Sequence, residues 1–265
     1  MEAIEFIGYF GALFIGIVLG LIGSGGSILT VPIFVYLLHI PPITATAYSL
    51  FVVGVTAFVG AINNFKKGLI NIRTAIVFSI PAFITVYLTR KYLVSAIPNK
   101  LFSIQEFIFT KDIAIMIFFA IIMLFASFSM IKKRKEALKK EMVVSYNYPI
   151  IIIEGILVGA LTGIVGAGGG FLIIPALVLF AKLPMKEAVA TSLLIIAIKS
   201  IIGFMGDIEN LMIEWNFLLV FSIISIIGIF IGMYLSNYVN GKKLEKGFGW
   251  FVLSMSIYIL IKELM

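Results

Sequence analysis

The chain has no cysteine and only one histidine, His39, in 265 residues. Without thiols there is no disulfide framework and no thiolate metal site, and one imidazole with no acid or cysteine beside it is a poor metal ligand. Charge is scarce too: Asp, Glu, Lys and Arg make up 12% of the chain against 62% hydrophobic residues, with a mean hydropathy of +1.17. A soluble globule of this size needs more polar surface, so the composition places the chain in a membrane. No Gly-x-x-x-x-Gly-Lys-Ser/Thr loop is present to bind a nucleotide triphosphate. The opening residues, Met1-Glu-Ala-Ile-Glu5, lack the basic stretch of a cleavable signal, and the first apolar run is expected to be retained. The formal charge of +7 sits between apolar runs, where it orients a chain in the bilayer rather than holding nucleic acid.

What the chain does contain is one unusual signature, twice. Gly20-Leu-Ile-Gly-Ser-Gly-Gly-Ser-Ile-Leu-Thr-Val-Pro32 returns as Gly163-Ile-Val-Gly-Ala-Gly-Gly-Gly-Phe-Leu-Ile-Ile-Pro175, at an offset of 143 residues. The same offset matches Pro41 with Pro184, Ala45 with Ala188, Ala47 with Ala190, Ser49 with Ser192 and Gly60 with Gly203. A duplicated apolar half, broken by glycine and proline at matching places, points to a transporter site at the interface of two repeats.

The apolar runs predict membrane segments over 4–22, 26–39, 43–63, 71–89 and 112–131, then 148–165, 169–181, 187–205, 216–236 and 247–262. The expected fold is an all-α polytopic membrane protein of two helical repeats with about 8–10 membrane segments, including broken or re-entrant helices after the glycine clusters. Residues 1–131 form the first repeat, 132–147 a basic cytoplasmic linker and 148–265 the second repeat. The linker carries Lys132-Lys-Arg-Lys135, which the positive-inside rule places in the cytoplasm. If the short segments cross, the repeats are inverted and both termini lie outside; if they do not, the repeats are parallel and both termini lie inside. Matched loops favour inversion. Lys66, Lys67 and Arg73 flank one connection while its counterpart carries Asp207, Glu209 and Glu214, read here as loop residues, and the preceding pair of loops shows the reverse. The stretch Arg90–Lys111, with Arg90, Lys91, Lys100 and Lys111, opposes that assignment. The protein is expected in the cell (plasma) membrane as a multi-pass protein.

The candidate substrate-binding residues begin with the glycine clusters, Gly23, Ser24, Gly25 and Gly26, then Gly166, Gly168, Gly169 and Gly170. Glycine permits positive φ and lets main-chain N–H groups face a ligand, and a helix restarting after such a bend offers a positive dipole end to an anion. On the third helix of each half, Ser49, Thr56 and Asn63 fall at intervals of seven, matched by Ser192, Lys199 and Gly206, with Thr191 alongside Ser192. Lys199 stands out, because an unpaired ammonium inside an apolar helix costs at least about 2.5–3.5 kcal/mol. Its partner is a bound anion or a carboxylate such as Glu154, unless it snorkels to an interface. Glu154, the clearest intramembrane acid, is the candidate for coupling to an ion, H+ or Na+. No cofactor, metal ion or catalytic residue is implied, and the sequence does not speak to oligomeric state. The reading from these residues is a secondary transporter of a small anion by alternating access, with an anion channel as alternative. An intramembrane enzyme with Ser24 as nucleophile is a weaker one, since the second copy has Ala167 at that position.

The doubled glycine turn followed by Leu or Ile and Pro, together with Ala190-Thr-Ser-Leu193, resembles the sulfite exporter TauE/SafE family, also called the toluene sulfonate uptake permease family. The resemblance spans almost the whole chain. It implies a polytopic transporter of small anions, with sulfite, sulfonates or other organosulfur anions as substrates. Asn64-Phe-Lys-Lys-Gly68 is similar to the family's short basic connection, with Asn64 where histidine is common, and Lys199 stands where an uncharged polar residue is more usual.

Overall fold

The structure, a computed structural model, describes residues 2–104, 107–131, 148–179, 181–236, 238–239 and 241–264; the basic linker 132–147 therefore lies outside the described residues. The described chain is almost entirely helical. Helix α1 spans Glu2–Ile22, and a 3-10 turn over Gly23–Leu29 leads into a short α2, Thr30–Pro32, and a π-helical turn, Ile33–Leu37. Then come α3 (Pro42–Lys66), α4 (Ile72–Leu88, continued by a π turn over Thr89–Val94), strands β1 (Lys100–Ile104) and β2 (Phe107–Thr110), and α5 (Lys111–Ile131). The remaining helices are α6 (Tyr148–Val165), α7 (Gly170–Leu179), α8 (Met185–Met205), α9 (Trp215–Leu235) and α10 (Gly241–Leu264). Six stretches among the described residues are long and apolar enough to cross a membrane. The strands form a small antiparallel hairpin that the apolar periodicity did not indicate.

Small residues set the helix crossings, as is usual where lipid removes the hydrophobic drive between helices. Gly16 of α1 lies on Ser225 and Gly228 of α9, and Gly20 lies on Ile229 and Gly232, so α1 and α9 run parallel. In the same way Gly155, Gly159 and Gly163 of α6 follow Phe78, Ala82 and Val86 of α4. Helices α3 and α8 cross antiparallel, with Gly60 beside Leu193, Gly54 beside Ser200 and Ile201, and Leu50 beside Gly203. Gly249 of α10 meets Met130 and Ile131 at the end of α5, which makes that pair antiparallel too.

These contacts fix the course of the chain. Helix α3 runs with α9, since Tyr48 bonds to Glu214 and Gly60 meets Ile229. Hence α1, α3, α5 and α9 point one way and α4, α6, α8 and α10 the other. Because α1 and α3 share a direction, residues 23–41 carry the chain back across the bundle, and residues 166–184 do the same between α6 and α8. The short segments thus traverse, and the two described termini share the end opposite Ile131 and Tyr148.

Backbone detail repeats at the offset of 143. Gly23 and Gly166 have φ of 74° and 71°, and His39 and Lys182, both non-glycine, have φ of 55° and 53°. Pro41 and Pro184 precede α3 and α8 with φ/ψ of −52°/138° and −56°/146°.

The helix crossings yield a direct stability test. A Cβ on Gly228 would stand 3.0 Å from Gly16 Cα and closer still to Leu13 O. Gly228→Leu is expected to cost about 1–3 kcal/mol by overpacking, read as a lowered midpoint of thermal unfolding by tryptophan fluorescence. Gly247→Ala, where nothing lies within 4 Å, is expected to leave that midpoint unchanged or slightly raised.

Candidate functional site

Each glycine turn rests on the third helix of the other half. A Cβ on Gly23 would stand 2.5 Å from Val189 Cγ1 of α8, and one on Gly166 would stand 2.5 Å from Thr46 Cα and O of α3. With positive φ as well, both positions admit glycine alone without strain. Thr46 and Val189 are themselves 143 residues apart, so the two contacts are reciprocal. The turns also meet each other: Gly168 packs against Ser27 of the first turn and Val53 of α3. Ser24, Gly25 and Gly26 lie within the 3-10 turn, and Gly170 opens α7.

Lys199 reaches this junction from α8. It is fully buried, and its Nζ donates to Thr162 Oγ1 at 2.8 Å. Thr162 in turn donates to Val158 O at 2.7 Å, so its hydroxyl is oriented to accept from the amine. The amine stands 3.0 Å from where a Cβ on Gly169 would be; the missing side chain leaves the ammonium against the main chain of the turn. Among the described residues no carboxylate lies within ion-pair distance of Lys199: the salt bridges are Arg90 to Asp207 and Lys91 to Glu209. Glu154 is half-buried on α6 and makes no ion pair with Lys199.

Ser49 and Thr56 are fully buried with hydroxyls that find no partner, and so is Ser200 beside Lys199. On α3, Thr46 touches Gly166 and Val53 touches Gly168; Ser49 and Thr56 sit three residues beyond each and share that face. Unpartnered buried hydroxyls also occur at Thr30, Thr74, Ser79, Ser222 and Ser225. Other sequence candidates stand elsewhere. Thr191 accepts from the Asn71 main-chain N–H at 3.0 Å where α4 begins, Ser192 donates to Val189 O at 2.8 Å, and Asn63 donates to Met233 Sδ at 3.3 Å.

Two residues expected in loops are in the interior. Arg90 is fully buried on the π turn and Asp207 is 3% exposed just after α8. Arg90 Nε and Nη2 both lie 2.6 Å from Asp207 Oδ2, and Nη1 donates to Thr46 Oγ1 at 3.0 Å and to Gly163 O at 3.2 Å. Asp207 is therefore not a loop residue, and Arg90 and the buried Lys111 are not loop cations. Two of the four cations counted against an external Arg90–Lys111 connection are therefore buried, while Lys91 pairs with Glu209 at 3.1 Å and Lys100 is exposed. The sequence signal that would have exposed the pair is the continuation of α4 past Leu88, which charge alone conceals.

A groove of about 640 Å³ opens at the end where the termini lie, lined by Tyr9, Ile213, Glu214, Trp215, Asn216, Phe217 and Val220. Below it Phe217 packs on Phe34, Tyr48 and Phe221, an aromatic floor over the interior.

Helices long and apolar enough to cross a membrane, with two connections broken at glycine turns, define a polytopic membrane protein. The chain belongs to the family described as "Sulfite exporter TauE/SafE", whose model matches residues 9–259. It is 27% identical over 255 residues to a "Probable membrane transporter protein" of Xylella fastidiosa (strain Temecula1), covering 93% of this chain and 91% of the relative. Partial matches include proteins of the same description from Methanocaldococcus jannaschii, 35% identical over 42% of this chain and 44% of the relative, and Bacillus subtilis, 28% identical over 44% and 45%. No solved structure matches the chain. It is a membrane transporter, not an enzyme.

The buried pair gives the second test. Asp207→Ala leaves a guanidinium buried without its carboxylate, which is expected to cost about 3–5 kcal/mol, whereas Arg90→Met with Asp207→Asn removes both charges and is expected to recover most of that. Thermal unfolding of the purified variants checks the order.

Proposed function

We propose that the chain is two inverted copies of one five-segment unit, 1–131 and 148–265, joined by a cytoplasmic linker, and that it carries a small oxyanion between them by alternating access. The substrate class is sulfite, a sulfonate or another organosulfur anion. The observation that carries this reading is Lys199, a fully buried ammonium with a hydroxyl partner and, among the described residues, no carboxylate at ion-pair distance, held against the second glycine turn. An oxyanion takes charge-assisted hydrogen bonds from an ammonium, and the orphaned hydroxyls of Ser49, Thr56 and Ser200 supply further donors as the turns separate. Supporting the duplication are the matched backbone angles, the reciprocal glycine contacts and the opposed helix directions. Such a junction of broken segments near the middle of the membrane is where carriers of repeated design bind substrate. The remaining residues of the signature, Gly23, Ser24, Gly25, Gly26, Gly168, Gly169 and Gly170, let the two turns approach each other and the guest.

With the linker cytoplasmic, both termini and the groove face outward. An inside-negative potential then favours export of an uncoupled anion, by about 2.3 kcal/mol per charge per 100 mV. Import needs a co-transported cation, for which Glu154 on α6 is the coupling candidate, taking H+ or Na+.

Lys199→Ala is expected to abolish saturable counterflow of labelled sulfite or a sulfonate in proteoliposomes while the purified protein keeps its unfolding midpoint. Unchanged kinetics in that variant would remove Lys199 from the site.

A further inference from the structure

We propose that Arg90 and Asp207 are a latch that holds the two halves together at the termini end of the transport path, with Arg90 positioning the second glycine turn. The inference rests on the carrier reading above. The guanidinium bridges four elements: its own π turn and Thr46 of α3 from the first half, and Gly163 of α6 and Asp207 after α8 from the second. Thr46 is the residue on which Gly166 rests, so the same side chain grips the turn's entry at Gly163 and its seat on α3. No part of this can separate at that end until the guanidinium lets go of one half.

The opposite end is built differently at the matching positions. There Arg90 is replaced by Met233, Asp207 by Asn64, Thr46 by Val189 and Gly163 by Gly20. Met233 and Val189 have no donor. Asn64 turns its amide back to Gly60 O at 3.0 Å, and Asn63 makes a weak cross-half bond to Met233 Sδ at 3.3 Å. The cross-half bond from the Asn71 N–H to Thr191 Oγ1 at 3.0 Å has its counterpart at the termini end in the Glu214 N–H to Tyr48 hydroxyl bond at 2.8 Å. Among the described residues, the termini end carries a buried, hydrogen-bonded ion pair and the linker end carries no buried ion pair. This difference gives the carrier a bias: the linker end opens without parting a buried ion pair, and the termini end opens only when the pair parts. The π turn aims Arg90 inward, and π turns within helices are frequent at functional positions.

The absence of cysteine makes the latch testable with single-cysteine reporters free of background labelling. Ser49→Cys lies one turn below Thr46 on the path, and Ser192→Cys is its counterpart at the linker end. In nanodiscs, where both faces meet a small water-soluble thiol reagent, Arg90→Met with Asp207→Asn gives the termini end the residues found at the linker end. The double change is expected to raise labelling of Ser49→Cys by about tenfold and to leave Ser192→Cys unchanged or slower. A Ser49→Cys rate that stays the same, or an equal rise at both reporters that signals general loosening, would overturn the latch. Counterflow in the unmodified protein tests the carrier independently, so failure of the latch and failure of the carrier are distinguishable.

Discussion

Everything in this fold depends on one repeated contact: a glycine turn from each half set against the third helix of the other. Gly166 on Thr46 and Gly23 on Val189 bring main chain to within van der Waals range of a neighbouring helix, which a side chain would forbid. That closeness interlocks the halves. It also puts the two broken segments face to face, Gly168 on Ser27, so breaks in the helices lie where the halves meet. A carrier has to be tight enough to seal and jointed enough to part, and a pair of turns without side chains meets both demands.

Charge is distributed to match. A lysine in hydrocarbon costs about 2.5–3.5 kcal/mol or more, and Lys199 is kept at full burial with Thr162 as its hydrogen-bond partner among the described residues. Arg90, by contrast, is paired with Asp207. Arg90 makes four hydrogen-bonding and ionic contacts that tie elements together, whereas Lys199 is bonded to Thr162, and on the reading proposed above its remaining donors serve a guest.

Much of this was legible in the amino-acid order. The ten apolar runs correspond to the observed segments within a few residues at most ends, because twenty apolar residues between charged or proline-bearing breaks have few other uses. Lys199 was visible for the same reason, as a charge inside an apolar helix. Arg90 and Asp207 were not, since each follows an apolar run and reads as the start of a loop. Only the π turn that extends α4 and the turn after α8 bring residues 117 positions apart into contact. The β1–β2 hairpin was missed because Leu101-Phe-Ser-Ile104 is short and only partly alternating. The direction of the short segments could not be settled from hydropathy; it follows from which residues Gly16 and Gly20 touch on α9. Thr162 was overlooked because a threonine in an apolar helix usually bonds its own turn, which it also does here.

The most direct measurement is thermal unfolding of purified protein against a panel of sulfite, thiosulfate, taurine, sulfoacetate, sulfate and simple carboxylates. A ligand that binds only the folded state at a hundred times its dissociation constant stabilises it by about 2.7 kcal/mol. The account predicts that at least one sulfur oxyanion raises the midpoint of the unmodified protein and that the rise vanishes in Lys199→Ala. A rise of equal size in that variant, or none with any anion of the panel, would contradict it.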